Sequence, residues 1–121
     1  MQDSVKYLAI AAAVALGAPL PAANAETVLN VASGGSQNMV EYVTDYLGSL
    51  FESENPGVKV NVLGTGPGDA GSQKILEKLM AQKDAGLEEW DIDVVVGNQL
   101  KTAEMVNDGL LASYRDQISN S

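Results

Sequence analysis

The chain contains no cysteine and no histidine. Without cysteine there is no disulfide and no thiolate to bind a metal. Without histidine the commonest general base and the commonest zinc ligand are gone. A metal site would need carboxylates alone, and no EF-hand-like spacing occurs among them. Positive charge is scarce too: 7 Lys and Arg stand against 16 Asp and Glu, a net charge of −9. That balance argues against nucleic acid or an anionic membrane surface as partner, because both reward clustered Lys and Arg. No apolar run is long enough to anchor the chain across a bilayer. What is present is a 121-residue chain that is 45% hydrophobic, enough for one small domain with a core. Neither a cofactor nor a metal is expected.

Residues 1–25 read as an export signal rather than as part of the fold. Lys6 gives a short basic start, and Tyr7–Leu16 (YLAIAAAVAL) has the length of a signal-peptide core. Gly17, Pro19 and Pro21 break the run, and Ala23-Asn24-Ala25 supplies the small-x-small pattern that signal peptidase accepts. The competing reading is a buried Ala-rich helix. The mature chain is expected to begin at Glu26, in the periplasm, and not to be membrane-inserted.

From Val28 onward the pattern repeats strand, loop, helix. Val28–Ala32 is a short apolar strand, and Ser33-Gly34-Gly35-Ser36 is a turn in which Ser36 or Ser33 caps the next helix. That helix is expected over 37–53, with Val40, Val43, Leu47, Leu50 and Phe51 as its core stripe and Tyr42 and Tyr46 on a flank. Val58, Val60 and Val62 alternate with Lys59 and Asn61, which is a half-buried strand. Gly64, Gly66, Gly68 and Gly71, with Pro67 among them, read as a loop, and a helix over 72–85 follows with Gly86 as its cap. Ile92–Val96 is apolar on both faces, as in a parallel sheet. After Gly97-Asn98-Gln99, residues Leu100, Ala103 and Val106 predict a short helix stopped at Asn107-Asp108-Gly109. The order β-α-β-α-β-α implies parallel strands and right-handed crossovers. The expected fold is a three-layer α/β sandwich with strand order 2-1-3, and with Phe51, Leu79 and Val95 in its core.

Gly66-Pro-Gly-Asp-Ala-Gly71 matches G-x-G-x-x-G between a strand and a helix. Alone that is a dinucleotide fingerprint. Here it sits in the second unit, Asp69 would face the pyrophosphate, and Asp91 and Asp93 open the following strand instead of closing it. Their place at the amino end also favours solvated or capping acids over a catalytic pair, since sites in such sheets form at the carboxyl end. Trp90 beside them reads as a plug under the sheet. The three βα loops carry more weight together. Ser33, Gly34, Gly35, Ser36, Gly64, Thr65, Gly66, Asp69, Gly97, Asn98 and Gln99 fall on one edge of the sheet, and Ser72 adds a hydroxyl at a helix start. Such groups grip a small polar ligand without acid–base chemistry. Ordinary βα turns are the alternative.

The signal, then VLNVASGGSQ, ENPGVKVNV, GTGPGDAGSQK, WDIDVVVGNQ and NDGLL, resembles the first lobe of an extracellular solute-binding protein of an ABC importer, family 1 type. Spermidine/putrescine-binding proteins are the nearest relatives by that resemblance. It spans residues 26–118 and rests on the order and spacing of all these segments. It implies the type II periplasmic binding protein fold. It also implies a small-molecule solute, with a polyamine as the specific candidate, delivered to ABC transporter permease subunits. No enzymatic activity is implied. The family's first-lobe contacts map here to residues 33–37, 64–69 and 97–99. The resemblance further implies an N-terminal fragment that stops before the hinge and second lobe. The runner-up is a nucleotide-dependent enzyme with a Rossmann-like domain. A third class, the ligand-sensing domain of a transcription regulator, would carry a DNA-binding motif where this chain has an export signal.

Overall fold

The computed structural model describes residues 25–118. The expected export signal, apart from Ala25, lies outside the described residues. The chain runs β1 (Thr27–Gly34), α1 (Gln37–Glu41), a π-helical stretch (Tyr42–Gly48), α2 (Ser49–Glu54), β2 (Val58–Gly66), α3 (Gly68–Asp84), β3 (Val94–Val96) and α4 (Gln99–Asn107), then a short 3-10 turn (Arg115–Gln117). The strands form one sheet ordered β2-β1-β3, and both pairings are parallel. This is the expected order. Among the described residues no helix is long and apolar enough to cross a membrane.

The core lies between the sheet and α3. Ala32 of β1 packs with Ile75, Leu76 and Leu79 of α3, with Met105 of α4 and with Leu110. Those apolar positions on α3 recur at helical spacing, so one face of the helix is buried along its length. Trp90, Ile92 and Val95 pack against the same cluster, with Trp90 donating its indole N–H to the Leu87 carbonyl at 3.0 Å. Trp90 thus closes the core from below, as a plug.

The short helix was misphased in the sequence. Leu100 is 65% exposed and Val106 59% exposed, while Met105 is fully buried. The chain leaves α4 through Gly109 at φ +68, with Leu110 N–H on the Met105 carbonyl (2.9 Å) and Gly109 N–H on the Val106 carbonyl (3.1 Å). That double bond pattern is a Schellman ending, which brings the residue after the glycine onto the side chain three places before the helix cap. Met105 and Leu110 are that pair.

The glycine-rich stretch is not a loop. Gly64 and Gly66 belong to β2, and Gly68 and Gly71 to α3, with only Pro67 between them. Glycine is needed there for close approach. A Cβ on Gly71 would sit 1.8 Å from the Gly66 carbonyl oxygen, and one on Gly64 would meet Val40 at 3.0 Å. The β1–β2 register also slips between Ser33 and Gly34, so that Ser33 faces Gly64 and Gly34 faces Gly66. Thr65 is the extra residue of this bulge. Its hydroxyl lies 2.8 Å from the Gly71 carbonyl and 3.3 Å from that of Ser33, tying the bulge to α3.

The opposite face is only partly covered. α1, the π-helical stretch and α2 lie over β2 and β1, where Gly48 allows contact with the Val60 side chain. Val43 is buried, but Leu47, Leu50 and Phe51 are each more than two-fifths exposed. Phe51 is therefore not a core residue. Among the described residues no helix covers β3 on this side, and an apolar hollow opens between Leu47 and Phe51 above and Val94 and Val96 below. The two margins of the sheet differ. At β2, Glu52 takes the Val60 N–H (2.8 Å) and pairs with the exposed Lys59. At β3, Val94–Val96 carries neither charge nor proline, the usual protections of an edge.

Asp91 and Asp93 hold the amino end of β3 in place. Asp93 accepts the Asn30 N–H (2.7 Å) and donates its own N–H to the Asn30 carbonyl (2.9 Å), extending the β1–β3 ladder by one residue with a side chain. Asp91 pairs with Lys78 at 2.6 Å and bonds Gln82 through both its carboxylate and its N–H. The Lys78 ammonium first, then the Gln82 amide, holds the Asp91 carboxyl below its ordinary pKa. A depressed folded pKa contributes stability above the unfolded value, and that contribution is lost as pH falls through the folded pKa. Asp91→Asn is therefore expected to lower the melting temperature slightly at about pH 6 and to match the parent at about pH 2. The pair is exposed, so the difference is small. An equal gap at both pH values would show that the charge contributes nothing.

Candidate functional site

The helices that follow β1 and β3 lie on opposite faces of the sheet: α1, the π-helical stretch and α2 on one, α4 beside α3 on the other. The gap between the carboxyl ends of β1 and β3 is the switch point where ligands bind in open α/β sheets. A cleft of about 270 Å³ lies there, lined by Gly34, Gly35, Ser36, Met39, Gly68, Ser72, Val96, Gly97 and Asn98. A larger hollow of about 600 Å³, lined by Glu26, Ser49, Glu52 and Lys59 among others, lies at the opposite end of the strands. It is away from the βα loops, and the smaller cleft is the candidate.

Ser72 is the centre of the cleft's floor. It lies in the first turns of α3, is 2% exposed, and accepts the Asn98 N–H at 3.0 Å. Gly34 and Gly97 leave room for it: their Cβ atoms would lie 3.1 and 3.4 Å from its oxygen. The loops after β1 and β3 thus meet over one hydroxyl. Asn98 closes the far side. Its carboxamide oxygen caps α4 by accepting the Lys101 N–H (2.8 Å), and its amide donates to Asp69. The β1 loop is fixed by Gly35 N–H on the Gly66 carbonyl at 2.8 Å.

Of the residues expected at the site, Gly34, Gly35, Ser36, Gly97 and Asn98 come together around the cleft. Ser36 precedes α1 as its cap residue, but its hydroxyl donates to the Asn38 side chain and makes no cap bond. The remaining ones do not line it. Ser33 is fully buried in β1 and its hydroxyl has no partner among the described residues. Gly64 sits under Val40, Thr65 is spent on the bulge, and Gly66 offers its carbonyl to Gly35. Asp69 stands at the rim, its carboxylate engaged by Asn98, and Gln99 opens α4 with its side chain exposed. Ser72 was visible in the sequence as a hydroxyl at a helix start. Its central place depends on α3 beginning at Gly68, one turn earlier than the glycine pattern indicated.

Among the described residues no group of three or more acidic side chains is placed to hold a metal. The cleft's polar groups are hydroxyls, an amide and backbone N–H groups, and its walls at Met39 and Val96 are apolar. Such an arrangement can hold and orient a small molecule, and it contains no acid–base pair. Compared with protein-family models, curated proteins and solved structures, the chain matches none.

Proposed function

We propose that the chain binds a small polar solute in the cleft between the β1 and β3 loops, as part of an exported binding protein that hands its solute to the permease of an ABC importer. The observation that carries this reading is the convergence of Gly34, Gly97 and Asn98 on the buried Ser72 hydroxyl at the sheet's switch point. The export half rests on Tyr7–Leu16 and Ala23-Asn24-Ala25. A polyamine is the specific solute that the sequence resemblance implies. Its support at the cleft is Asp69 alone, and that carboxylate is already engaged by Asn98.

The runner-up, a nucleotide-dependent enzyme, draws on Gly66-Pro-Gly-Asp-Ala-Gly71. Gly71 does serve the close strand–helix contact that the third glycine of the fingerprint serves. Against it, Asp91 and Asp93 are spent at the amino end of β3, on Lys78 and Asn30, so neither stands at the carboxyl end where an acid would reach a ribose.

The test is made on the chain expressed from its own start in a Gram-negative host. It is expected in the periplasm with Glu26 as first residue by intact mass. The exported material is then titrated with amino acids, sugars, carboxylates and polyamines. At least one class should give saturable amide shifts at Gly34, Gly35, Gly97 and Asn98. A cytoplasmic product retaining Met1 would remove the export reading, and silence across the panel would remove the solute site.

A further inference from the structure

We infer that the solute presents an oxyanion, a carboxylate or a phosphoryl group, to the Ser72 hydroxyl, and that Ser72 is the residue that recognises it. This rests on the solute-binding reading of the cleft and goes beyond it in naming the chemical class. The first observation is the state of Ser72 itself. It is more than nine-tenths buried, it lines the cleft, and its oxygen accepts one hydrogen bond, from the Asn98 N–H. Among the described residues its proton is donated to nothing. A serine near a helix start ordinarily spends that proton on a nearby carbonyl or on water. Ser72 lines the cleft, so a bound group that accepts a hydrogen bond there completes the site.

The second observation is the character of the other groups. No carboxylate lines the cleft. The nearest, Asp69, is held by the Asn98 amide, which leaves an incoming ammonium with one shared acceptor. Of the two helices that start at the cleft, α4 has no acid in its first turn, and the Asp69 carboxylate of α3 is held by the Asn98 amide; helix starts favour negative charge. An accepted N–H also polarises the Ser72 hydroxyl and strengthens it as a donor. The net charge of −9 acts against an anion only diffusely, because salt screens it within about 10 Å. At about 270 Å³ the cleft admits a small solute, and Met39 and Val96 give its body an apolar wall.

The experiment is an amide NMR titration of the 121-residue chain with sodium acetate, with inorganic phosphate and with putrescine, at constant ionic strength. Acetate or phosphate is expected to shift Gly34, Gly97 and Asn98 saturably, while putrescine leaves them in place. Ser72→Ala should weaken the anion at least about tenfold. Should Ser72→Ala unfold the chain, Ser72→Cys is the second variant: it keeps the shape with a somewhat larger atom and donates weakly, and the same loss is expected. Saturable shifts with putrescine and none with either anion would overturn the oxyanion class while leaving the cleft a binding site. Undiminished anion affinity in a folded Ser72 variant would overturn the role of Ser72. No shift with any of the three probes overturns this inference, and the wider solute panel then decides whether the cleft binds at all.

Discussion

Gly71→Ala is expected to abolish the cooperative unfolding transition. The added Cβ would stand 1.8 Å from the Gly66 carbonyl oxygen and 2.6 Å from its carbon, and both are backbone atoms. No rotamer change relieves such a clash. Either β2 or α3 must move. Moving β2 breaks the Gly35 N–H bond to the Gly66 carbonyl, and moving α3 breaks the Thr65 bond to the Gly71 carbonyl. A displaced α3 also lifts Ile75, Leu76 and Leu79 from Ala32, which removes the centre of the core. We expect a loss of roughly 3 kcal/mol or more, at or above the upper end of what core overpacking ordinarily costs, because the clash is between backbone atoms and the new Cβ. For a domain this small that approaches the whole of its stability. Gly68→Ala is the control. Its Cβ meets nothing within 4 Å, so it bears only the cost of φ +67, about 1–2 kcal/mol. Urea unfolding followed by circular dichroism measures both, and a Gly71→Ala midpoint equal to that of Gly68→Ala would contradict the geometry.

Met105→Ala is expected to destabilise the chain by about 2–5 kcal/mol, the cost of truncating a fully buried long side chain. Met105 is the one buried residue of α4, and it joins that helix both to α3 and to Leu110. Its loss loosens the helix whose first turn is capped by Asn98, so the cleft should soften with the core. Leu100→Ala and Val106→Ala remove side chains that are mostly in solvent, and each should stay within about 0.5 kcal/mol of the parent. Thermal melts of the three variants decide between the two faces of α4. A Met105→Ala melt unchanged from the parent, or a large loss in Leu100→Ala, would mean that the helix is turned the other way.

The topology was legible because it depends on coarse features. Alternation at Val58–Val62 marks a strand at the margin, helix-length crossovers require parallel strands, and the punctuation at Pro56-Gly57 and Gly86 separates the units. The finer errors share one cause. A glycine says that a side chain is absent, not why. At Gly64 and Gly71 the reason is a neighbour across the fold, so residues that read as loop are strand and helix. Side-chain direction near the cleft was equally hidden. The bulge at Ser33 and Gly34 decides which hydroxyls turn inward, and it is a property of two strands together. Ser33 and Thr65 were thus expected at the ligand and are buried or spent. Met105 was recoverable in principle: Asn-Asp-Gly-Leu predicts a Schellman ending, and that ending names Met105 and Leu110 as partners. Phe51 was expected in the core and instead lines the apolar hollow. Its exposure reflects how little of the sheet lies beneath it.

The two unlike margins make the sheet extensible in one direction. Beside β2, Glu52 already occupies the Val60 N–H and Lys59 stands in solvent, so a further strand is disfavoured on that side. Beside Val94–Val96 the backbone is open. Any strand that joins the sheet, whichever polypeptide supplies it, has its place there. Its arrival would widen the floor of the hollow under Leu47 and Phe51 and move the β1–β3 gap from near the margin to the midline. The cleft lies at the strand ends while growth runs sideways, so widening the sheet would deepen the walls of the cleft without closing its entrance.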